Sequence, residues 1–385
     1  MKKNWEIKRL GDVCDYDKIP NKNSNLPYVG LEHIESNSGK FIGSTNPKSV
    51  KSLTFHFTNE HILYGRLRPY LNKVLSPSFE GQCSTEIFPI KPKTNLSRGF
   101  LFHWLLSNVT VKRINATCTG TRMPRANMNT VLGFEIPIPP LSEQQRIVAI
   151  LDEAFAAIAT AKENTGKNLQ NARALFESHL QSVFTQRGEG WAEKRLGDVC
   201  DLIDCLHKTP TYIESGFPMV RVTDIKPGFL DLSNTRQVDE KTFNEFSKKH
   251  TPKVGDIVFS RVGSYGVSSL VTSDAPFCLG QNTVFIVPKI NFRLLYYFLN
   301  SLIAKTQFDE LIDGTTQPTI SLRSIREVRF TVPPSHDHEK LIAYLDVVSL
   351  ETHRLESLYQ RKSAALDELK KSLLQKAFNG ELSGE

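Results

Sequence analysis

The 385-residue chain lacks the long apolar runs and the catalytic motifs that identify many classes of protein. No stretch approaches the roughly 18 apolar residues that cross a bilayer, and the amino terminus has no apolar signal-peptide core. The patterns G-x-x-x-x-G-K-S/T, G-x-G-x-x-G, H-E-x-x-H and G-x-S-x-G are also missing. These absences predict a cytoplasmic protein and argue against ATP-driven and hydrolytic chemistry.

The chain is also poor in motifs that bind metals or form disulfides. None of its six cysteines forms a C-x-x-C pair, so reduced, buried thiols are expected. Cys200 and Cys205 have no histidine at ligand spacing. Asp224 and Lys226 form a D-x-K fragment of the kind that metal-dependent nucleases use, but so short a pattern is common. We therefore predict neither a catalytic residue nor a metal site.

The clearest feature that is present is an internal repeat. Nine of eleven positions are identical between Trp5–Asp15 and Trp191–Asp201. Weaker matches follow at offsets near 194, among them I-L-Y-G-R-L-R-P-Y from Ile62 against I-V-F-S-R-V-G-S-Y from Ile257. Gly120-Thr121 likewise corresponds to Gly314-Thr315. Two copies of about 190 residues predict duplicated domains in a pseudo-twofold arrangement.

Each copy has two parts. Its first 140 or so residues contain short β-rich stretches and a few helical patches, which indicates an α+β domain. A double proline follows, and apolar or small residues then recur every three to four positions in a coiled-coil pattern. We predict globular domains at 1–140 and 189–334, and long helices at 141–188 and 335–385. A Ser142–Gln145 capping box should start the first helix, and Gly166 should not break it.

The predicted fold class is therefore α+β, with two globular domains joined by two long antiparallel coiled-coil helices. A helix from 142 to 184 would be about 65 Å long and would need a partner, for which the helix of the other copy is the natural choice.

Positive charge is concentrated in one part of the chain. Residues 1–140 hold 19 lysines and arginines against 10 aspartates and glutamates, whereas residues 191–334 hold 17 against 16. The helical segments are slightly acidic, so no basic amphipathic helix is available for a membrane surface. A basic globular domain favours a nucleic acid as the partner.

Taken together, the repeated W-x-x-K-R-L-G-D-V openings, the two strand-loop segments and P-P-L-S-E-Q-Q-R-I at the first helix resemble the DNA specificity subunits of Type I restriction-modification systems. The resemblance implies two target recognition domains, each reading half of a bipartite double-stranded DNA site. It also implies two methyltransferase subunits docked on the helices, and restriction/translocase subunits. S-adenosylmethionine, ATP and Mg would then be held by those partner subunits, with no cofactor and no catalysis on this chain.

Matched loop positions that differ between the copies are candidates for reading different half-sites. Arg66 and Arg261 are shared, which suits phosphate contacts, and the amide of Gln281 suits an adenine edge. The predicted DNA contacts are Arg66, Arg68, Tyr70, Arg122, Arg125, Asn127, Arg261, Ser264, Tyr265, Gln281, Thr316, Gln317 and Thr319.

Apolar residues that lie off the helix seam are candidates for binding partner subunits. They are Val148, Phe155, Val347, Leu350 and Leu358. An open alternative is that they pack on their own β-rich domains.

Two other functions remain possible at this stage. One is a stand-alone DNA-cleaving or DNA-modifying enzyme using Asp224 and Lys226, and the other is a coiled-coil scaffold, which leaves the basic domain unexplained. On the DNA-reading hypothesis, a spacer of about 65 Å predicts two half-sites with a fixed gap, closer than two turns of about 34 Å.

Overall fold

The computed structural model describes residues 4–23, 25–120, 122–186, 188–312 and 318–382. The chain divides into two compact units: unit 1 comprises residues 1–166 and 360–385, and unit 2 comprises residues 167–359. Within the described ranges, no helix is both long and apolar enough to span a membrane.

Unit 1 combines short strands with helices of one to three turns. Its strands are β1 Glu6–Arg9, β2 Cys14–Tyr16, β3 Tyr28–Val29, β4 Thr54–Phe57, β5 Ile62–Gly65, β6 Val74–Leu75, β7 Gly81–Ser84, β8 Ile87–Pro92 and β9 Glu135–Ile138. Its short helices are α1 Leu10–Val13, α2 Arg98–Leu106, α3 Asn108–Asn115 and α4 Met128–Leu132. The long helix α5, Leu141–Thr185, begins in this unit.

Unit 2 repeats this order of elements, with one additional α-helix between its fourth and fifth strands. Its strands are β10 Ala192–Arg195, β11 Cys200–Asp204, β12 Phe217–Val220, β13 Arg236–Val238, β14 Ile257–Ser260, β15 Ser268–Leu270, β16 Cys278–Leu279, β17 Thr283–Pro288 and β18 Arg329–Val332. Its helices are α6 Leu196–Val199, α7 Glu240–Phe246, α8 Phe292–Leu299, α9 Leu302–Glu310 and α10 Leu322–Glu327, and the long helix α11, His338–Asn379, begins here.

The two units share the topology of the main sheet and of the ribbon, but their three-stranded sheets differ, since the antiparallel third strand pairs with β7 in unit 1 and with β12, the counterpart of β3, in unit 2. Unit 1 has the sheet β2-β8-β5-β6, the sheet β3-β7-β4 and the ribbon β1-β9; unit 2 has β11-β17-β14-β15, β13-β12-β16 and β10-β18. Register is conserved as well, since Ile62 pairs with Ile90 and Ile257 with Ile286. The internal repeat predicted from the sequence is thus confirmed in the topology of the main sheet and the ribbon.

Each unit packs its main sheet and its short helices against segments of both long helices. In unit 1 the core takes Leu151 from α5 and Leu374 from α11; in unit 2 it takes Leu180 from α5 and Leu345 from α11. The predicted α+β class with two long helices is confirmed. The predicted boundaries at 140, 188 and 334 remain a prediction, because these cores combine helix and sheet residues.

The helix segments run in opposite directions within each unit. In unit 1, Lys162 of α5 pairs with Asp367 of α11 at 2.7 Å, and Phe155 of α5 lies under Lys370 of α11. The position on α5 therefore falls as the position on α11 rises, which is the predicted antiparallel pairing. In unit 2 the segments also pair antiparallel, through Arg173 with Glu356 and His179 with Tyr344.

The start of α5 differs from the prediction. The helix begins at Leu141, so Ser142 lies inside its first turn instead of capping it. The buried Gln144 makes the local contacts: its side-chain oxygen accepts from the Ser97 N–H at 2.7 Å, and its amide donates to two backbone carbonyls. The helix continues through Gly166, as expected.

A matched polar pair joins the globular part of each unit to a long helix. In unit 1, His103 Nε2 lies 2.7 Å from Asp152 Oδ1. In unit 2, the Tyr297 hydroxyl donates to Asp346 Oδ1 at 2.6 Å. The two contacts lie at matched positions of the repeat. Each unit therefore has a hydrogen bond to an aspartate of a long helix at this place, from a histidine in unit 1 and from a tyrosine in unit 2.

All six cysteines are free, as the sequence predicts. Five are buried, and Cys118 is half-buried. Burial raises the pKa of the buried thiols Cys14, Cys83, Cys200 and Cys278 to about 12.

Candidate nucleic-acid interface

Two loops of unit 1 meet at the end of strand β5. We call residues 66–73 loop A and residues 122–127 loop B. The N–H of Arg68 donates to Pro124 O at 2.8 Å, and the N–H of Ala126 donates to Arg66 O at 2.9 Å. Four arginines predicted as DNA contacts are therefore brought onto one pair of loops, whose backbones hold each other in place.

Glu86 compensates two of these arginines. Arg125 donates from Nε to Glu86 Oε1 at 2.9 Å and forms a second contact from Nη2 at 2.9 Å. Arg66 lies 3.7 Å from the same carboxylate and stacks over Phe88. One negative charge thus partly neutralises an inner pair of guanidinium groups.

The outer arginines of these loops are different. Arg68 and Arg122 are exposed, and in the part of the chain that the structure describes neither guanidinium has an ion-pair or hydrogen-bond partner. Tyr70 beside Arg68 is 50% exposed. These side chains have the positive charge, the donors and the ring face that nucleic-acid contacts use.

Asn127 has a structural role that the sequence analysis did not assign to it. Its side-chain oxygen accepts from the N–H groups of Asn129 and Thr130, which caps helix α4. Because that oxygen is already bonded, Asn127 cannot offer its full amide to a base. The structure therefore weighs against its prediction as a DNA contact.

The matching loops of unit 2 are residues 261–267, loop C, and residues 318–321, loop D. The N–H of Gly263 donates to Pro318 O at 3.2 Å, and the N–H of Ile320 donates to Arg261 O at 2.9 Å. These bonds are the counterparts of those between loops A and B. The second unit therefore builds the same loop pair from a different set of side chains.

Arg261 corrects the prediction of a phosphate contact. Its Nη1 donates to Asp204 Oδ1 at 2.8 Å and its Nε donates to Ile320 O at 3.1 Å. The side chain is only 13% exposed. Because two of its nitrogens donate internally and the side chain is nearly buried, Arg261 fastens β11 and loop D to loop C instead of facing a ligand.

The other candidates in unit 2 are mostly uncharged. Ser264 and Gln281 are exposed, and Gln281 Nε2 lies 3.4 Å from Thr209 Oγ1. The Tyr265 hydroxyl donates to Asp309 at 2.9 Å, which raises the pKa of that phenol. Thr319 forms an isolated bridge with Val262. Thr316 and Gln317 lie outside the described residues, as do the repeat positions Thr121, Gly314 and Thr315.

Asp204, Cys205 and His207 place their ligand atoms within 4.8 Å of one another, which is close enough to consider a metal site. The Asp204 carboxylate, however, already accepts from Arg261 and pairs with His207 at 2.9 Å. Burial raises the pKa of Cys205, which keeps its thiol protonated. The donor set is therefore arranged for an ion-pair network and does not suit a cation.

The D-x-K fragment at Asp224 is also engaged internally. Arg221 donates to both carboxylate oxygens of Asp224, at 3.0 and 2.9 Å, and this contact raises the pKa of Arg221. A carboxylate held by a guanidinium is a poor metal ligand. This geometry argues against the nuclease alternative.

The helix candidates for partner binding fall into two groups. Val148 packs beside Gly99 of its own unit, and Phe155 meets the His103 ring edge-on with centroids 5.4 Å apart. For these two residues the alternative interpretation is correct. On α11, by contrast, Val347, Leu350 and Leu358 are 67%, 72% and 47% exposed.

Together with Tyr344, which is 44% exposed, these three residues share one side of α11. We call them the α11 apolar face.

Comparison with known proteins gives a consistent family. The family model described as "Type I restriction modification DNA specificity domain" matches residues 2–168 and again 188–362. The Type I restriction enzyme EcoDI specificity subunit from Escherichia coli is 32% identical over 197 residues, which is 50% of this chain and 44% of that protein. The MjaVIII specificity subunit from Methanocaldococcus jannaschii is 22% identical over 415 residues, covering 98% and 93%.

Solved structures show the same fold. A chain from a study of assembly and conformational transition of the type I R-M system superposes with a TM-score of 0.84, at 23% identity and 99% coverage of both chains. The HsdS subunit from Thermoanaerobacter tengcongensis gives a TM-score of 0.58 at 21% identity, covering 99% and 98%.

Proposed function

The chain belongs to the Type I restriction-modification DNA specificity family, and from this premise we propose that it reads double-stranded DNA for a restriction-modification complex. Unit 1 reads one half of a bipartite site and unit 2 reads the other. The chain itself catalyses no reaction. It recruits two methyltransferase subunits and, for restriction, restriction/translocase subunits, which hold S-adenosylmethionine, ATP and Mg.

The observation that carries this proposal is the pair of uncompensated arginines on loops A and B. Arg68 and Arg122 extend from loops whose inner arginines already have a carboxylate partner. Exposed guanidinium groups attract phosphates at long range and recognise base edges at short range. The excess of positive charge in residues 1–140 also favours binding to the negatively charged DNA backbone.

Two half-sites follow from the duplication of the loop pair. Loops A and B and loops C and D share their backbone hydrogen bonds but differ in nearly every exposed side chain. Two loop pairs with the same backbone bonds and different side chains are suited to recognising two different DNA sequences. Helices α5 and α11 each supply a segment to both units, which supports a fixed gap between the half-sites.

The α11 apolar face is the proposed contact for a methyltransferase subunit. Large exposed apolar side chains clustered on one side of a helix are typical of protein interfaces. The matched positions on α5 for the two most exposed members are Glu153 and Ala156, so unit 1 does not repeat the patch. Changing Val347 and Leu350 to Asp should lower the number of methyltransferase subunits that co-purify with the chain from two to one, while Leu175→Asp, which alters a similarly exposed leucine on α5, should leave both bound.

Mapping of methylated bases tests the function itself. Cells that carry this gene with its methyltransferase should show methylation at a two-part motif with one fixed gap, and cells lacking the gene should lose it. A continuous motif would overturn the two-reader arrangement. Metal-dependent DNA cleavage by the purified chain would favour a stand-alone enzyme, and a lack of DNA affinity in the complex would favour a scaffold.

A further inference from the structure

Arg68 occupies a backbone conformation that side chains rarely adopt. Its φ and ψ are 50° and 60°, in the left-handed region. The matched residue of unit 2 is Gly263, whose φ is 71°. Both residues donate their N–H to the carbonyl of the matched proline in the facing loop, Pro124 or Pro318. The same turn is therefore built twice, once with glycine and once with arginine.

The turn itself does not need an arginine. Glycine enters the left-handed region without the clash that a Cβ creates, so Gly263 is the unstrained choice and Arg68 the strained one. A Cβ placed at Gly263 would meet no atom within 4 Å, which shows that this position points into open space. Arg68 is likewise exposed, so packing does not compensate for its strain.

Electrostatics within unit 1 do not explain the side chain either. Glu86 is engaged by Arg125 and Arg66, and the described part of the chain offers Arg68 no carboxylate of its own. An exposed, strained and unpaired arginine on a rigidly held loop is best explained by a ligand. A phosphate can be met by a cation at many positions, whereas a base edge requires a guanidinium fork at one defined place.

We infer that Arg68 reads a guanine in the half-site of unit 1, and that Gly263 leaves the matched place in unit 2 without a base contact. This inference rests on the proposed function and adds to it one specificity-determining residue. The guanidinium would donate two parallel hydrogen bonds to guanine O6 and N7, which no other base presents together in the major groove.

The decisive variant is Arg68→Gly, because it installs the residue that unit 2 already uses for this turn. The strain it removes and the backbone freedom it adds to the unfolded chain act in opposite directions. We therefore expect a thermal midpoint within a few degrees of the wild-type value. Arg68→Lys keeps the charge but loses the fork, and Arg146→Ala removes an exposed arginine from α5 as a control.

Each variant is assembled with the methyltransferase, its methylated motif is mapped in cells, and its binding to a panel of single-base variants of the site is measured. For Arg68→Gly and Arg68→Lys, the gap and the second half-site should stay unchanged. One G·C position of the first half-site should become degenerate, with discrimination there falling by about 5- to 150-fold. Arg146→Ala should retain the full motif.

Two results would overturn the inference. One is an unchanged motif in Arg68→Gly. The other is a uniform loss of affinity for all sequences, with a shallower salt dependence and recovery by Arg68→Lys, which identifies a phosphate contact. If the wild-type complex itself yields no two-part motif, the proposed function fails, and that failure is visible before any variant is compared.

Discussion

In unit 1 the carboxylate of Glu86 lies between two arginines, whereas in unit 2 Asp204 lies between Arg261 and the exposed His207. The two carboxylates come from different places. Glu86 directly precedes strand β8, whereas Asp204 is the last residue of strand β11. Counted from the matched cysteines Cys14 and Cys200, the position of Asp204 is occupied by Lys18 in unit 1. Arg66 is about a third exposed and Arg261 is nearly buried.

This difference shows which features of the repeat are conserved. The register of the main sheet and the backbone bonds between the paired loops are the same in both units. The charges that surround the loops have been redistributed. The same backbone arrangement thus carries two different electrostatic surfaces. The surface of unit 1 is basic and has arginines without a carboxylate partner, and that of unit 2 is almost neutral.

The largest expected effect tests whether each unit depends on its own core. Leu151 in unit 1 and Leu345 in unit 2 are matched and fully buried. Replacing either by Ala should cost about 3 kcal/mol of unfolding free energy through the cavity left behind. Hydrogen exchange followed by mass spectrometry should show faster exchange in unit 1 for Leu151→Ala and in unit 2 for Leu345→Ala. Leu175→Ala, at an exposed position, is the control, and equal loosening of both units by either core variant would contradict the prediction.

The next effect compares the two carboxylates. Asp204→Asn leaves the nearly buried Arg261 without its counter-charge, so we expect a loss of about 2 kcal/mol. Glu86→Gln should cost about 1 kcal/mol or less, because Arg66 and Arg125 are more than a third exposed and water screens them. Denaturant unfolding of the two variants measures the difference. An equal or larger loss for Glu86→Gln would show that exposure does not govern the two networks.

A pH-dependent effect separates the matched polar pairs. Burial lowers the pKa of His103, an effect that its hydrogen bond to Asp152 only partly offsets. A histidine whose pKa is lower in the folded state contributes its stability above the ordinary pKa near 6.5, and this stability is lost as the pH falls towards the folded value. Unit 1 should therefore show lower amide protection at pH 5.5 than at pH 7.5, once the measured exchange rates are corrected for the intrinsic pH dependence of amide exchange.

Tyr297 occupies the same place in unit 2, and burial raises its pKa, so it stays neutral throughout this range. His103→Tyr, which transfers that residue to unit 1, should remove most of the pH response around α2. If the response persists in the variant, another group is responsible.

The smallest effect concerns the charges between the helix segments. Lys162 and Asp367 in unit 1 correspond by the repeat to Glu356 and Arg173 in unit 2, so the polarity of the pair is reversed. These side chains are largely exposed, and Lys162→Glu should cost only about 0.5 to 1 kcal/mol. Adding Asp367→Lys should recover most of that loss, as measured by thermal unfolding. No recovery in the double variant would mean that the pair contributes nothing.

The sequence predicted the fold well because its signals were long and repeated. The 3–4 spacing of apolar residues predicted both helices, and on α5 the residues Ile147, Leu151 and Ile158, which follow this spacing, are buried. On α11 the same spacing runs through Lys362 and Leu369, both of which are exposed. The apolar stripe rotates a few degrees around the helix axis with each turn, and over a helix of this length the rotation adds up. Sequence spacing alone does not reveal which residues it moves away from the partner helix.

The candidate site was harder to predict. The repeat singled out the loops after β5 and β14 as candidates, which stays a prediction, and it did not reveal which arginines have partners. The carboxylates of Glu86 and Asp204 lie far along the chain from the arginines that they bind. The roles of Asn127, which caps helix α4, and of Arg261, which bonds to Asp204 and Ile320, likewise depend on contacts that exist only in the folded chain. The left-handed conformation of Arg68 had one usable signal, namely the glycine at the matched position.

The half-buried Cys118 has a practical consequence. It is the most accessible of the six thiols and lies four residues before Arg122. Burial raises its pKa as well, so a maleimide dye should couple to it more readily at mildly alkaline pH. The native chain thus carries a nearly selective attachment point for a fluorophore next to loop B, and docking of a duplex could be followed as a change in emission without any engineered residue.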